Sequence, residues 1–377
     1  MPSVAIARPS LPMMPRGLVE RLTCMHDEMK GDPMLAALNR IAVTLYDHSS
    51  DLLKSFIHSS DGDSPMERTV ARLSDIPVLQ TLATTGARRT VNDLTAMGSG
   101  QDHSSRLVAC GYRSSYTVPM RYKGVFYGFL FLNSFETGFF TPEVIQRLRA
   151  HVELISLTVM REMDTVRMMQ AAVTVIRQVS SARDEETASH LARMARYARL
   201  VATRMAPHCG FDDEFIEFVF QFCPLHDVGK VAVPDSILLK PGRLDEDELT
   251  VMRSHVGRGV DIVEMMLRDF GLGSMPHVDL LRNIVAYHHE AMDGSGYPHG
   301  LAGKAIPIEA RIAAVADVFD ALTSRRPYKE AWTNADALDL LRNEAGRKFD
   351  ADCVAVMLEN VGALEEIQLQ FRETMFG

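Results

Sequence analysis

Five imidazoles and three carboxylates in one part of this chain have the donor chemistry of a metal site. They are Glu186, His190, His226, Asp227, His255, the doublet His288-His289, and Asp317. Imidazole with carboxylate is the donor set of hydrolytic centres and of non-haem iron or manganese sites. No cysteine belongs to the group, which argues against a structural zinc knuckle. A single histidine on a helix is usually a surface residue or a satisfied core residue, so no one of these is informative alone. Their spacing changes the weighing. Glu186 and His190 lie four residues apart and would share a helix face. His226-Asp227 and His288-His289 splay adjacent donors, as a bridged multi-metal centre can use. Five of the chain's 13 histidines in this order are hard to explain as packing.

Helices must position these groups. Apolar residues at helical spacing predict helices over Ala188–Met205, Glu214–Leu225, Glu246–Met266, Leu280–His289, Ile308–Leu322 and Asp336–Glu344. An all-α bundle with ligands projecting inward from several helices is the expected architecture of this half. Gly257 and Gly259 interrupt one of the helix patterns.

The first half reads differently. Ile41–Leu45, Leu52–His58, Tyr116–Met120 and Gly124–Leu132 are strand candidates, rich in β-branched and aromatic residues. Asp47-His48-Ser49-Ser50 links the first two as a hairpin, and Arg121-Tyr122-Lys123 joins the last two. Glu67–Leu82 reads as helix or loop broken by Pro77. From Glu143 to Val179 one long helix is expected, with Thr141 as N-cap and Pro142 in its first turn. Leu148, Val152, Ile155, Val159, Val166, Met169, Val173 and Ile176 form an apolar stripe along it. Such a stripe fits a seam between two protomers, or a single helix lying on its own domain.

A length of 377 residues is a prior for two domains. The net charge of −9 excludes generic binding to duplex nucleic acid, although Arg325, Arg326 and Lys329 could hold phosphates locally. No apolar run is long enough for membrane insertion. Residues 1–16, with Pro2, Pro9, Pro12 and Pro15, read as a flexible leader without a signal-peptide core. The 5 cysteines form no paired pattern, which fits reduced thiols and a cytoplasmic location.

The stretch from about Glu185 to Lys348 resembles an HD-GYP domain of the HD phosphohydrolase superfamily. The resemblance rests on His226-Asp227-Val228-Gly229-Lys230, Val233-Pro234-Asp235-Ser236-Ile237-Leu238, Lys240-Pro241-Gly242-Arg243-Leu244 and His288-His289-Glu290. It continues through Asp293-Gly294-Ser295-Gly296-Tyr297-Pro298, Asp317-Val318-Phe319-Asp320-Ala321-Leu322 and Arg326-Pro327-Tyr328-Lys329. It implies hydrolysis of cyclic di-GMP to linear pGpG and on to GMP. Divalent metals would acidify the attacking water and coordinate the phosphate, with Asp227 as the bridging carboxylate. Because Glu186 stands in the place of an additional ligand, three metals per chain are expected, with iron or manganese favoured. An exposed acidic residue beside Asp184 and Glu185 is the alternative reading of Glu186. Lys230 would meet a phosphate oxygen or the leaving group. Gly296, Tyr297 and Pro298 would approach the ligand, and Arg326 and Lys329 would take the guanine edge and the phosphates.

Residues 17–142 resemble a GAF sensory domain. This rests on Thr85-Gly86, Val91-Asn92-Asp93-Leu94, Ser115-Tyr116-Thr117-Val118-Pro119, Gly128-Phe129-Leu130-Phe131-Leu132-Asn133 and Phe140-Thr141-Pro142. GAF domains bind varied small molecules, and nothing here names the ligand; Cys110 and His103 belong to no attachment motif. The expected fold class is α+β: a leader (1–16), a GAF-like α/β sensor (17–142), a connecting helix and possible dimer seam (143–180), and a helical HD-GYP catalytic domain (181–377). Expected partners are cyclic di-GMP, a second copy in a homodimer, an unidentified GAF ligand and, as in some members of the family, a GGDEF-type protein. Competing readings are a hydrolase of another cyclic dinucleotide such as cyclic GMP-AMP, and a catalytically silent cyclic di-GMP receptor. The Gly-Tyr-Pro loop disfavours a nucleoside-triphosphate hydrolase.

Overall fold

The computed structural model describes residues 17–61, 70–96, 103–180, 188–273, 277–324 and 330–372. The leader, Glu186, Arg326 and Lys329 lie outside them. The chain divides into two compact units, residues 1–160 and 161–377. The fold is α+β: a sheet unit followed by a helical unit.

The sheet unit contains α1 (Leu18–Lys30), β1 (Arg40–Asp47), β2 (Leu52–Ser60), β3 (Val70–Arg72), α2 (Pro77–Thr85), β4 (Arg89–Val91), α3 (His103–Ala109), β5 (Ser114–Tyr122) and β6 (Val125–Ser134). The strands form one antiparallel sheet in the order β3-β2-β1-β6-β5-β4. Every residue of β6 after Val125 is buried, as a central strand covered on both faces must be. Ala42, Phe129 and Phe131 pack with Leu79, Leu82 and Ala83 of α2 on one face. Two expectations change here. Val70–Arg72 is a short strand, and Pro77 opens α2 rather than breaking a helix; a missing N–H costs nothing at the first helical position.

The long helix, α4 (Pro142–Ser180), carries the boundary between the units. Thr141 caps it, its Oγ1 accepting from Val144 N at 3.3 Å. Leu148, Val152, Ile155, Val159, Val166 and Met169 are buried within the single chain, so these positions are already covered without a second protomer. The side chains of Val173 and Ile176 lie outside the described set.

The helical unit continues with α5 (Ala188–Cys209), α6 (Asp213–Phe222), α7 (Asp235–Leu238), α8 (Glu246–Arg253), α9 (His255–Asp269), α10 (Val278–Tyr287), α11 (Ile308–Thr323), α12 (Asn334–Glu344), α13 (Ala351–Glu359) and α14 (Val361–Gln370). α5 packs on α6, α11 and α13, and α10 packs on α9 and α11. Two predicted helices are interrupted. The first stops at Phe222, because Pro224 has no N–H to continue it; two 3-10 turns, Cys223–Leu225 and Val228–Ala232, then flank His226-Asp227. The second breaks at Ser254, where side chains join the Ser254 amide in satisfying the last carbonyls of α8. Ser254 Oγ donates to Val251 O at 2.6 Å and His255 Nδ1 to Met252 O at 2.7 Å. Gly257 and Gly259, the expected interruption, lie inside α9.

Candidate metal centre

Both interruptions place a ligand candidate at the end of a helix or turn, and the same device recurs. His226 Nδ1 donates to Cys223 O at 2.9 Å. His288, just past the end of α10, donates through Nδ1 to Ile284 O at 3.0 Å. His255 repeats the pattern on Met252 O. A carbonyl can only accept, so each Nδ1 carries a proton, and Nε2 is the atom through which the neutral ring would ligate. His190, on α5, reaches the same tautomer by another route, donating Nδ1–H to Asp320 Oδ2 at 2.7 Å. The carbonyl-rich helix ends also favour a cation in front of them.

Two groups result. Asp227, His255, His288 and His289 form one; His190, His226 and Asp317 form the other, and within each the ligand atoms lie within 4.8 Å of one another. Asp227 faces both. Its Oδ1 lies 3.0 Å from His255 Nε2 and 3.5 Å from His288 Nε2, and its Oδ2 lies 3.1 Å from His226 Nε2 and 2.7 Å from Lys230 Nζ. Asp317 Oδ1 stands 3.8 Å from Nε2 of both His190 and His226. His255 Nε2, His288 Nε2 and Asp227 Oδ1 are buried and make no hydrogen bond. Buried polar atoms are normally satisfied. Two imidazole nitrogens and a carboxylate oxygen converging without hydrogen-bond partners are a set of donors that fits divalent metals.

The electrostatics agree. Burial alone would raise the Asp227 carboxyl, but the Lys230 ammonium and His226 override it and hold the group well below the usual carboxylate range. Burial, reinforced by the neighbouring His288, pushes the His289 imidazole down to about 2. A neutral ring is the ligand-competent form.

Close packing requires glycine at two points. A Cβ on Gly229 would lie 1.9 Å from His255 O, so the turn after Asp227 can abut α9 only without a side chain. A Cβ on Gly296 would lie 2.4 Å from Ala291 N, so the loop folds back on the histidine doublet. That loop puts the Tyr297 ring in a stack on His289, centroids 4.7 Å apart, with Arg253 over Tyr297 at 5.1 Å. Burial, then the Asp227 charge, pushes the Tyr297 phenol up, so it stays protonated. Pro298 follows across a cis peptide bond. Buried Glu290 holds the loop, accepting from His299 N at 2.7 Å and Leu301 N at 2.9 Å.

The structure thus brings His190, His226, Asp227, Lys230, His255, His288, His289, Tyr297 and Asp317 together. Three supporting residues were given no role from the sequence: Arg193, and Asp320 and Glu290, which stand inside the quoted motifs. Arg193 Nε donates to Asp320 Oδ1 at 2.7 Å and its Nη2 to Oδ2 at 2.9 Å, a fork on the carboxylate that orients His190. Burial alone would raise Asp320, but hydrogen bonds from His190 and Arg193 hold it down. The signal was present: Arg193 is three residues after His190, and Asp320 three after Asp317.

Residues 183–353 match the family model described as "HD domain". The chain is 47% identical over 189 residues to the cyclic di-GMP phosphodiesterase response regulator RpfG of Xanthomonas campestris pv. campestris (strain 8004), covering 50% of this chain and 47% of that protein. It is 42% identical over 179 residues to 3'3'-cGAMP-specific phosphodiesterase 2 of Vibrio cholerae serotype O1, covering 48% of this chain and 32% of that one. The chain therefore spans about half or less of these curated relatives. The PixJ GAF domain of Thermosynechococcus elongatus, in its blue-light absorbing form, aligns with 42% of this chain and 96% of its own length, at 15% identity and a TM-score of 0.32.

Proposed function

We propose that the HD domain at residues 183–353 is a metal-dependent phosphodiesterase of the HD-GYP type that hydrolyses cyclic di-GMP to linear pGpG and on to GMP. The observation that carries this reading is the convergence of the unpaired His255 and His288 Nε2 atoms on Asp227 Oδ1. The names of the similar proteins supply the substrate class.

Divalent cations, when bound, supply Lewis acidity toward the phosphate and the attacking water. His255, His288, His289 and Asp227 hold one group of donors; His190, His226 and Asp317 hold the other; Asp227 joins them. Lys230, a point charge 2.7 Å from Asp227, neutralises a phosphate oxygen or the leaving oxygen. Gly296 and Pro298 shape the loop that presents Tyr297 to the guanine or ribose, and Arg326 and Lys329 take the phosphates and the guanine edge. With Glu186 as an eighth ligand the site takes three metals, iron or manganese. The GAF-like sheet unit regulates turnover in response to its own ligand, within a homodimer and with a GGDEF-type protein as a further partner.

The test is product identity. Purified full chain, reconstituted anaerobically with Fe(II) or with Mn(II), is assayed against cyclic di-GMP and 3'3'-cyclic GMP-AMP. Release of pGpG or GMP from cyclic di-GMP is expected. Exclusive turnover of cyclic GMP-AMP replaces the substrate assignment, and no turnover of either with any metal overturns the reading. Metal analysis giving two ions per chain removes the third site, and a monomer by light scattering removes the dimer.

A further inference from the structure

The sheet unit buries an arginine that has no counter-charge among the described residues. Arg40, at the start of β1, is only 8% exposed. Among the described residues it has one hydrogen bond, Nη1 to Asn133 Oδ1 at 3.0 Å, and Asn133 in turn donates Nδ2 to Ser115 Oγ at 3.0 Å. These three residues sit opposite one another on β1, β6 and β5, so they share one face of the sheet. That face is the one whose apolar part, Ala42 and Phe131, packs against α2. Arg40 Nε is buried and makes no hydrogen bond. Among the described residues no carboxylate pairs with it; its electrostatic neighbours are Tyr112 and Cys110, at the end of α3. Asp61, the acid of this region, is taken by Lys30 at 2.6 Å and Asn39 at 3.1 Å.

Removing a cation from water is expensive unless it is paired and hydrogen-bonded. Lys54 shows the usual solution in the same sheet, since it is as buried as Arg40 but bonds Asp47 at 3.2 Å. With Nη1 spent on Asn133, the Nε–Nη2 edge of Arg40 is the fork that grips a planar oxyanion side-on. We propose that the sheet unit binds a small molecule through its carboxylate or phosphate group at Arg40, with Asn133 and Ser115 fixing the guanidinium. This site is separate from the metal centre, and its occupancy is independent of whether the helical unit hydrolyses a cyclic dinucleotide.

Thermal unfolding and calorimetric titration of the metal-loaded full chain, wild type beside Arg40→Gln, test it. Gln retains a donor for Asn133 but lacks the charge and the fork. The probes are inorganic phosphate and acetate at constant ionic strength, with chloride as the reference. Wild type is expected to show a saturable rise of roughly 4 °C with one probe or both, and the variant about tenfold weaker binding. Phosphate winning identifies a phosphate-bearing ligand, and acetate winning a carboxylate. Equal shifts in both proteins are general salting effects and overturn the proposal. A second measurement needs no variant: the bound anion is expected to slow alkylation of half-buried Cys110 without slowing exposed Cys24 and Cys209. If neither probe changes the Cys110 rate, the proposal fails even where Arg40→Gln does not fold.

Discussion

The two units bury similar polar residues and do opposite things with them. In the sheet unit, His26 has both ring nitrogens engaged: Nδ1 accepts from Ser59 Oγ at 2.8 Å and Nε2 donates to Leu38 O at 2.8 Å. It is a packing residue. In the helical unit, buried His255 and His288 spend Nδ1 on a carbonyl and leave Nε2 without a hydrogen bond. The arginines reverse the pattern. Arg193 is closed by Asp320, Ser324 Oγ and Phe371 O, whereas Arg40, among the described residues, holds only Asn133. In His255, His288 and Arg40 the left-over atom lies beside other polar groups, and that combination, in either residue type, is what fits a ligand. Burial alone does not separate the two cases, since His26 and His255 are equally buried.

The hardest blow to that distinction is Asp227→Ala. It removes the carboxylate on which both donor groups converge, and turnover should fall about a thousandfold or more, with metal content falling alongside. If His26→Gln lowered metal content comparably, the distinction between closed and open histidines would collapse; it should instead cost about 1–3 kcal/mol of stability, by leaving polar partners unpaired, with the metals retained. Next in size is Asp320→Asn. The amide fits in place of the carboxylate but lacks its charge, so His190 is a weaker donor and metal affinity should drop about 10–100-fold. Titration with Mn(II) reads this directly, and an affinity unchanged from wild type would make Asp320 merely structural. Glu290→Ala is smaller. It strips the acceptor from His299 N and Leu301 N, loosens the loop carrying Tyr297, and should raise KM about tenfold while kcat changes little.

Much of the metal centre was legible because ligand chemistry is written in residue type. His226-Asp227, the His288-His289 doublet and Asp317 could be picked out from donor identity and order. The features that aim their donor atoms at one another were not. His255 begins a new helix at a break where Ser254 and His255 side chains add their donors to the last carbonyls of α8, and helical periodicity runs straight through that break. Asp320 and Arg193 looked like ordinary helix residues because their pairing joins positions 127 residues apart. In the sheet unit, β-branched and aromatic content identified β1, β2, β5 and β6, which are long enough for composition to stand out. It missed β3 and β4, because three residues are too few to carry such a signal. Arg40 gave no signal at all: an arginine opening a strand looks exposed until the sheet closes over it.

The finest contrast between the units is in the sign of their pH dependence. Burial lowers the His26 imidazole, with the Leu38 hydrogen bond only partly opposing it. Its folded value therefore lies below the unfolded value near 6.5, and between the two the unfolded chain binds more protons. The stability from His26 is present above about pH 6.5 and is lost as pH falls toward the folded value. His277 in the helical unit goes the other way. Burial lowers it, but the hydrogen bond and charge of buried Glu214, 3.1 Å away, outweigh that and raise it. Its contribution is fully present below about pH 6.5 and is lost as pH rises through the folded value. Subtracting the melting curves of His26→Gln and His277→Gln from wild type, in metal-free protein between about pH 5 and 8, should give difference slopes of opposite sign. Slopes of the same sign would mean that one of the two rings is not in the environment described, and His277, a quarter exposed, would be the first to re-examine.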